Sequence, residues 1–150
     1  MNRLFLLPRL YLGIIFADAA FTKFASGVDF ARPLGGFVSE VGLSKGYGWY
    51  HGILQSLVLP NAHLFAALVL TAESAIAISM IFGLAARAGA VVAIFLLLNY
   101  AAAKGLPPWS PGSNDYADIV LALLVLGGAA GRVFGIDKSL HERFPRIPLW

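Results

Sequence analysis

Asp18, Lys23, Glu73 and Asp118 each stand inside or at the edge of a long apolar stretch of this sequence. A charge at the centre of a bilayer costs roughly 2.5–3.5 kcal/mol on insertion scales, so each such residue needs a partner or a task. Glu73, in LVLTAESAIAI, has no short route to water. It is read either as a proton carrier or as a hydrogen-bonded link between helices. Lys23 is read as a contact for an anion or polar substrate, within reach of Asp18 or Asp118, or as an interfacial lysine that snorkels to the headgroups. Glu73 and Lys23 are therefore the expected catalytic residues. Asp18, Asn99, Asp118 and His63 are the expected substrate contacts.

Other chemistry is excluded by what is missing. There are no cysteines, which rules out disulfides, thiolate metal sites and a cysteine nucleophile. His51, His63 and His141 are isolated, with no pair at i, i+4 on one span, so no haem or metal site is expected. Neither a phosphate-binding glycine loop nor a hydrolase triad is present.

The elements that hold these residues are set by composition. Of the 150 residues, 59% are hydrophobic and 13% charged. So few charges cannot cover a soluble globule, and the lipid bilayer is the expected surrounding. A net charge of +3 in such a chain reads as a membrane-orientation signal rather than a nucleic-acid surface. A hydrocarbon core of about 30 Å needs roughly 20 apolar residues as helix. Stretches of that kind run over residues 4–24, 62–82, 85–103 and 116–134. The expected fold is all-α: a single polytopic domain, a four-transmembrane-helix bundle with a long exterior loop between helices 1 and 2.

The short link from Phe82 to Ala86 makes the second and third helices antiparallel neighbours. KGLPPWSPGSND, from Lys104 to Asp115, breaks any helix. Within the long loop, Trp49, Tyr50, Ile53, Leu54, Leu57 and Val58 have helical spacing. This suits a short helix over 48–59 that either lies on the membrane or caps the bundle. The FPRIPLW tail suggests an extended segment along the membrane surface.

Counting helical rise from the span ends places Asp18, Glu73, Asn99 and Asp118 in the outer half of the membrane. Lipid cannot satisfy them, so they are expected to turn inward and line a polar pocket open to the exterior. In the fourth span Asp115, Asp118, Ala122, Val125, Ala129 and Arg132 form a polar and small-residue face. Arg3, Arg9, Arg87, Arg132, Lys138, Arg143 and Arg146 fall on the side of the termini, against Lys23, Arg32, Lys45 and Lys104 on the other. This bias places both termini in the cytoplasm of a bacterial-type inner membrane, with Arg87 as an interface anchor. Arg9 interrupts the first apolar stretch, which argues against a cleaved signal peptide ending near Ala17-Asp18-Ala19.

The first helix reads RLYLGIIFADAAFTKFASG, the second and third LPNAHLFAALVLTAESAIAISMIFGLAARAGA, and the end GRVFGIDKSL. These segments resemble the DoxX/DoxD-like family of small four-helix membrane proteins. Arg9, Gly13 and Lys23 match its first-helix pattern, Glu73, Gly83 and Arg87 the second helix and turn, and Gly131, Gly135 and Asp137 the closing stretch. Asp18 departs from the pattern, standing where the family usually has a small residue. The resemblance implies a subunit or auxiliary of a quinone-linked membrane oxidoreductase acting on a small sulfur anion such as thiosulfate. Quinone and other membrane redox subunits, or a homo-oligomer, are the implied partners. Two further readings stand beside it: a non-enzymatic accessory or scaffold subunit, and a small-solute permeation protein.

Overall fold

The computed structural model describes residues 3–25, 30–110, 114–128 and 130–145. The described residues form helices and turns, with no strand. The order is α1 (Leu6–Ala25), α2 (Ala31–Phe37), α3 (Leu43–Lys45), α4 (Gly48–Ile53), α5 (Ala62–Phe82), α6 (Ala86–Lys104), α7 (Asn114–Gly127) and α8 (Ile136–Arg143). Three of the helical stretches are long and apolar enough to cross a membrane: Arg3–Ala25, Gly48–Phe82 and Ala86–Lys104.

The four main helices close a ring in which α1 packs on α5, α5 on α6, α6 on α7 and α7 back on α1. Their contacts follow helical periodicity. In α1 the buried residues are Arg9, Leu12, Gly13, Phe16 and Ala20, three or four apart as a single stripe requires. In α6 the buried run Ala86, Gly89, Ala90 and Ala93 is made of small residues, which lets neighbouring backbones approach closely. Gly13 serves the same end in α1, because a Cβ there would sit 2.8 Å from Ile81 Cγ1 of α5. The remaining faces are apolar and turned outward, as with Ile14, Phe21, Leu68, Phe95 and Leu123, the arrangement expected where the solvent is lipid.

Two expectations are revised. The segment between the first two spans is not an open loop: it is helical from Ala31 to Lys45 and again from Gly48. Turns of π-helix over Val38–Gly42 and Leu54–Val58 interrupt it. Tyr50, Leu54 and Val58 point inward and join Val38, Ala102 and Ala103 in a second core. Trp49, Ile53 and Leu57 remain outside. The segment therefore caps the end of α6, fixed by the Tyr47 N–H donating to the Ala102 carbonyl at 3.0 Å. It then runs through a short 3-10 turn at Leu59–Asn61 into α5, where Asn61 leaves helical geometry (φ −118°).

The second revision concerns the last long helix. It stops at Gly127, well short of residue 134. At about 1.5 Å per residue, its 14 residues span roughly 21 Å. Gly127-Gly128 is a pair with low helix propensity, and the chain continues instead as a 3-10 turn over Ala130–Arg132. Ala129 and the end of the tail, 146–150, lie outside the described residues.

Candidate functional site

Glu73 is buried, 1% exposed, on the inner face of α5. Lys23, near the end of α1, donates to both carboxylate oxygens, at 2.8 Å to Oε1 and 2.8 Å to Oε2. The Tyr100 hydroxyl on α6 donates to Oε1 at 2.8 Å. Three helices thus converge on one carboxylate. Lys23 Nζ also donates to the Ala19 carbonyl at 3.3 Å and lies 5.3 Å from the centre of the Phe30 ring. The Lys23 side chain keeps 21% exposure against 2% for Glu73. Lys23 is therefore the face of this cluster that meets the surroundings.

A second pair lies alongside. Lys104, at the end of α6, donates to Asp115 Oδ1 and Oδ2 at 2.9 Å each. Tyr100 and Lys104 are one turn apart on α6, and Tyr100 is within electrostatic reach of both Glu73 and Asp115. Asp118, one turn below Asp115 on α7, is also buried. The result is two hydrogen-bonded clusters, Lys23–Glu73–Tyr100 and Lys104–Asp115.

This differs from the expected grouping. Lys23 pairs with Glu73, not with Asp18 or Asp118. Asp18 is exposed on the outer face of α1, between the exposed Ile14 and Phe21. Asn99 faces the capping segment, where its Oδ1 accepts from the Tyr50 hydroxyl at 2.5 Å and its Nδ2 donates to the Phe95 carbonyl at 2.7 Å. His63 is exposed at the start of α5, ten residues and about 15 Å along the helix from Glu73. A shared pocket holding all six candidates is therefore replaced by charge pairs, with Asp18, Asn99 and His63 outside them.

Tyr100 was legible in principle. The buried positions Ala86, Ala90, Ala93 and Leu97 step by four and three, and continuing the rhythm gives Tyr100 and Lys104 rather than Asn99.

A second polar constellation lies at the opposite end of the bundle. Arg9 is 1% exposed, so its charge is satisfied inside the protein rather than by headgroups or water. Its Nη1 donates to the carbonyls of Ala130 (2.8 Å) and Val133 (2.9 Å), and its Nη2 to that of Phe134 (3.4 Å). These carbonyls lie in and just after the 3-10 turn, where regular α-helical bonding has ended, and a planar guanidinium can serve several of them at once. Asp137 accepts from the Ala85 N–H at 2.6 Å and the Ala86 N–H at 2.9 Å. It thereby caps α6 from a distant part of the chain. Burial pushes the Asp137 carboxyl above the ordinary aspartate range, against the pull of those backbone N–H groups and of Arg9 and Arg132. Gly83, in the turn, has φ +60°. A Cβ on it would lie 2.6 Å from Arg9 Nη1 and 2.8 Å from Gly135 Cα. Arg9, Gly83 and the Gly135–Asp137 stretch belong to three separate segments of the family pattern, and the fold joins them in one clasp.

Among the described residues, no group of three His, Asp or Glu could hold a metal ion. Among the described residues, the middle of the bundle is packed with Leu12, Phe16, Ile76, Met80 and Val125.

Described residues that are all helix and turn, with several candidate spans, outward apolar faces and buried carboxylates paired with cations, define a polytopic membrane protein. The sequence model of the DoxX family matches residues 4–106, and the chain belongs to that family. The match covers α1 to α6, and with them Arg9, Lys23, Glu73, Gly83, Arg87 and Tyr100. It stops before α7 and before the GRVFGIDKSL end. No curated protein and no solved structure matches the chain.

Proposed function

We propose that this DoxX-family membrane protein is a subunit or auxiliary of a quinone-linked membrane oxidoreductase, with the Lys23–Glu73–Tyr100 cluster handling protons. The observation that carries the reading is the buried Glu73 carboxylate held by a cation and a phenol from two other helices. Hydrogen-bonded chains of this kind pass protons between the interior and the surface. Lys23, being partly exposed, is the exchange point. Reducing a quinone takes two electrons and two protons. Joining two thiosulfate anions through a new S–S bond releases the two electrons, and the cluster relays the two protons from solution through Lys23. The Lys23–Glu73 pair is net neutral, so it does not repel an arriving anion, and Asp18 faces away from it. In this reading α7 completes four spans, and both termini lie in the cytoplasm of a bacterial-type inner membrane.

The test is the melting temperature of the purified protein with an added quinone analogue, since a ligand bound by the native state raises it. We expect a rise for the wild type that is lost in Glu73→Gln and reduced in Tyr100→Phe. No rise with any quinone analogue, or an undiminished rise in both variants, overturns the reading.

A second reading, an accessory or scaffold subunit, is favoured by Asp18. A carboxylate on an outward apolar face is costly in lipid, and a cation on a neighbouring membrane subunit would offset that cost. A partner that copurifies with the wild type and is lost with Asp18→Asn would support it. Unchanged copurification would count against it.

A further inference from the structure

The clasp at the end of the bundle opposite the Glu73 cluster borders a cavity of about 670 Å³. Its lining includes Arg3, Arg132 and Lys138 together with Phe82, Phe134 and Ile136, and no carboxylate is among the lining residues. We propose that this cavity binds the headgroup of an anionic phospholipid, with the acyl chains running along its apolar wall.

The argument begins with charge. Three cations and no carboxylate line the cavity, and Asp137, beside Lys138 in the chain, is 1% exposed and committed to the Ala85 and Ala86 N–H groups. The charge carried by the lining residues is therefore positive. Basic pockets among transmembrane helices suit anionic headgroups for this reason.

Shape and polarity then separate a lipid from a small soluble anion. Phe82, Phe134 and Ile136 are 57%, 75% and 45% exposed. An inorganic anion has no use for such a wall, whereas a phospholipid offers a phosphate and a hydrocarbon chain side by side. Phe82 ends a helix long enough to cross the membrane, so the wall begins where acyl chains begin.

The site is also held in shape from behind. The stretch from Ala130 to Phe134, which carries Arg132 and Phe134, is pinned through three carbonyls by the buried Arg9. Phe134 is kept at φ +50°, a conformation an L side chain adopts only when its surroundings impose it. Arg3 lies across the same ring, its Cζ 5.7 Å from the centre. Rigid walls reduce the ordering cost of binding.

The experiment uses the full chain in detergent, with native mass spectrometry and melting temperature as readouts. Phosphatidylglycerol, phosphatidylcholine and inorganic phosphate are added separately. We expect retention of phosphatidylglycerol and a raised melting temperature, with neither effect from phosphatidylcholine. Arg3 and Lys138 are exposed, so Arg3→Gln/Lys138→Gln should melt at the wild-type temperature without lipid and bind phosphatidylglycerol roughly tenfold more weakly. Equal effects of the two lipids, or unchanged binding in the variant, would overturn the proposal. A full rise with inorganic phosphate alone would assign the cavity to a soluble anion and overturn it as well. The outcome is independent of quinone binding, which involves the other end of the bundle.

Discussion

Lys23 and Glu73 show how much of a residue's role depends on the direction in which it points. Both were identifiable as charges out of place, yet the expected partner of Lys23 was a neighbouring carboxylate, Asp18 or Asp118. Five residues along an α-helix correspond to a rotation of about 140°. If Lys23 faces the bundle, Asp18 must face away from it, as it does. The same geometry separates Asn99 from Tyr100. These are rotations about one axis, and only packing of the helix fixes their phase. The pair should matter for stability as well as chemistry. Removing one member of a buried pair costs roughly 3–5 kcal/mol, because the other charge is left uncompensated. Lys23 retains some exposure and can partly relax, so Glu73→Gln should fall near the lower end. Lys23→Met/Glu73→Gln should lose clearly less than the sum of the single changes. Denaturation midpoints of the four proteins measure the coupling, and strict additivity would show that the pair contributes nothing.

At the scale of elements, the turn between α5 and α6 carries the heaviest demands. Gly83 must adopt φ +60° beside Arg9 and Gly135, and Ala85 takes φ +49° with its N–H held by Asp137. For an L residue the left-handed region costs roughly 1–2 kcal/mol. Gly83→Ala would add a steric clash with Arg9, so we expect destabilisation of about 2 kcal/mol or more, read as a lower melting temperature. Arg9→Lys keeps the charge and loses the fork that serves three carbonyls. Hydrogen exchange of the amides from Ala130 to Asp137 should then quicken roughly tenfold, reflecting a locally weakened clasp, while exchange in α6 beyond its first turn stays unchanged. A uniform increase across the bundle would mean that Arg9 supports the whole fold rather than this end of it. Counting positive charges could not reveal the role of Arg9, because the count registers charge and ignores burial. The helical content of the 31–61 segment was half visible. Its later part had a clear apolar rhythm, but the earlier part, rich in glycine, is helical in contact with α5 and α6, where tertiary packing outweighs propensity.

For the whole molecule, the topology turns on α7, 14 residues long, as a fourth crossing. The chain has no cysteine, so single cysteines give an unambiguous map. Ser110 lies before α7 and Ser139 after it. With four spans, Ser110→Cys should react with an impermeant thiol reagent only from the exterior and Ser139→Cys only from the cytoplasm. Labelling of both from one side would mean that α7 does not cross. The 3-10 turn and α8 follow α7 directly, and local thinning of the bilayer can accommodate a short helix at modest cost.

The sequence by itself determined that this chain is helical and made for lipid, where the first three of its long helices run, and which few charges lie inside them. Those properties depend on composition, on unbroken apolar length and on glycine and proline punctuation, all of which are local. The tertiary structure decided which charge meets which: Lys23 with Glu73 and Tyr100, Lys104 with Asp115, Arg9 with the carbonyls of a turn more than a hundred residues away. In a medium that offers no hydrogen bonds, every interior polar group must find its partner within the protein. Such partners come from other helices, brought face to face by packing that no single stretch of sequence specifies.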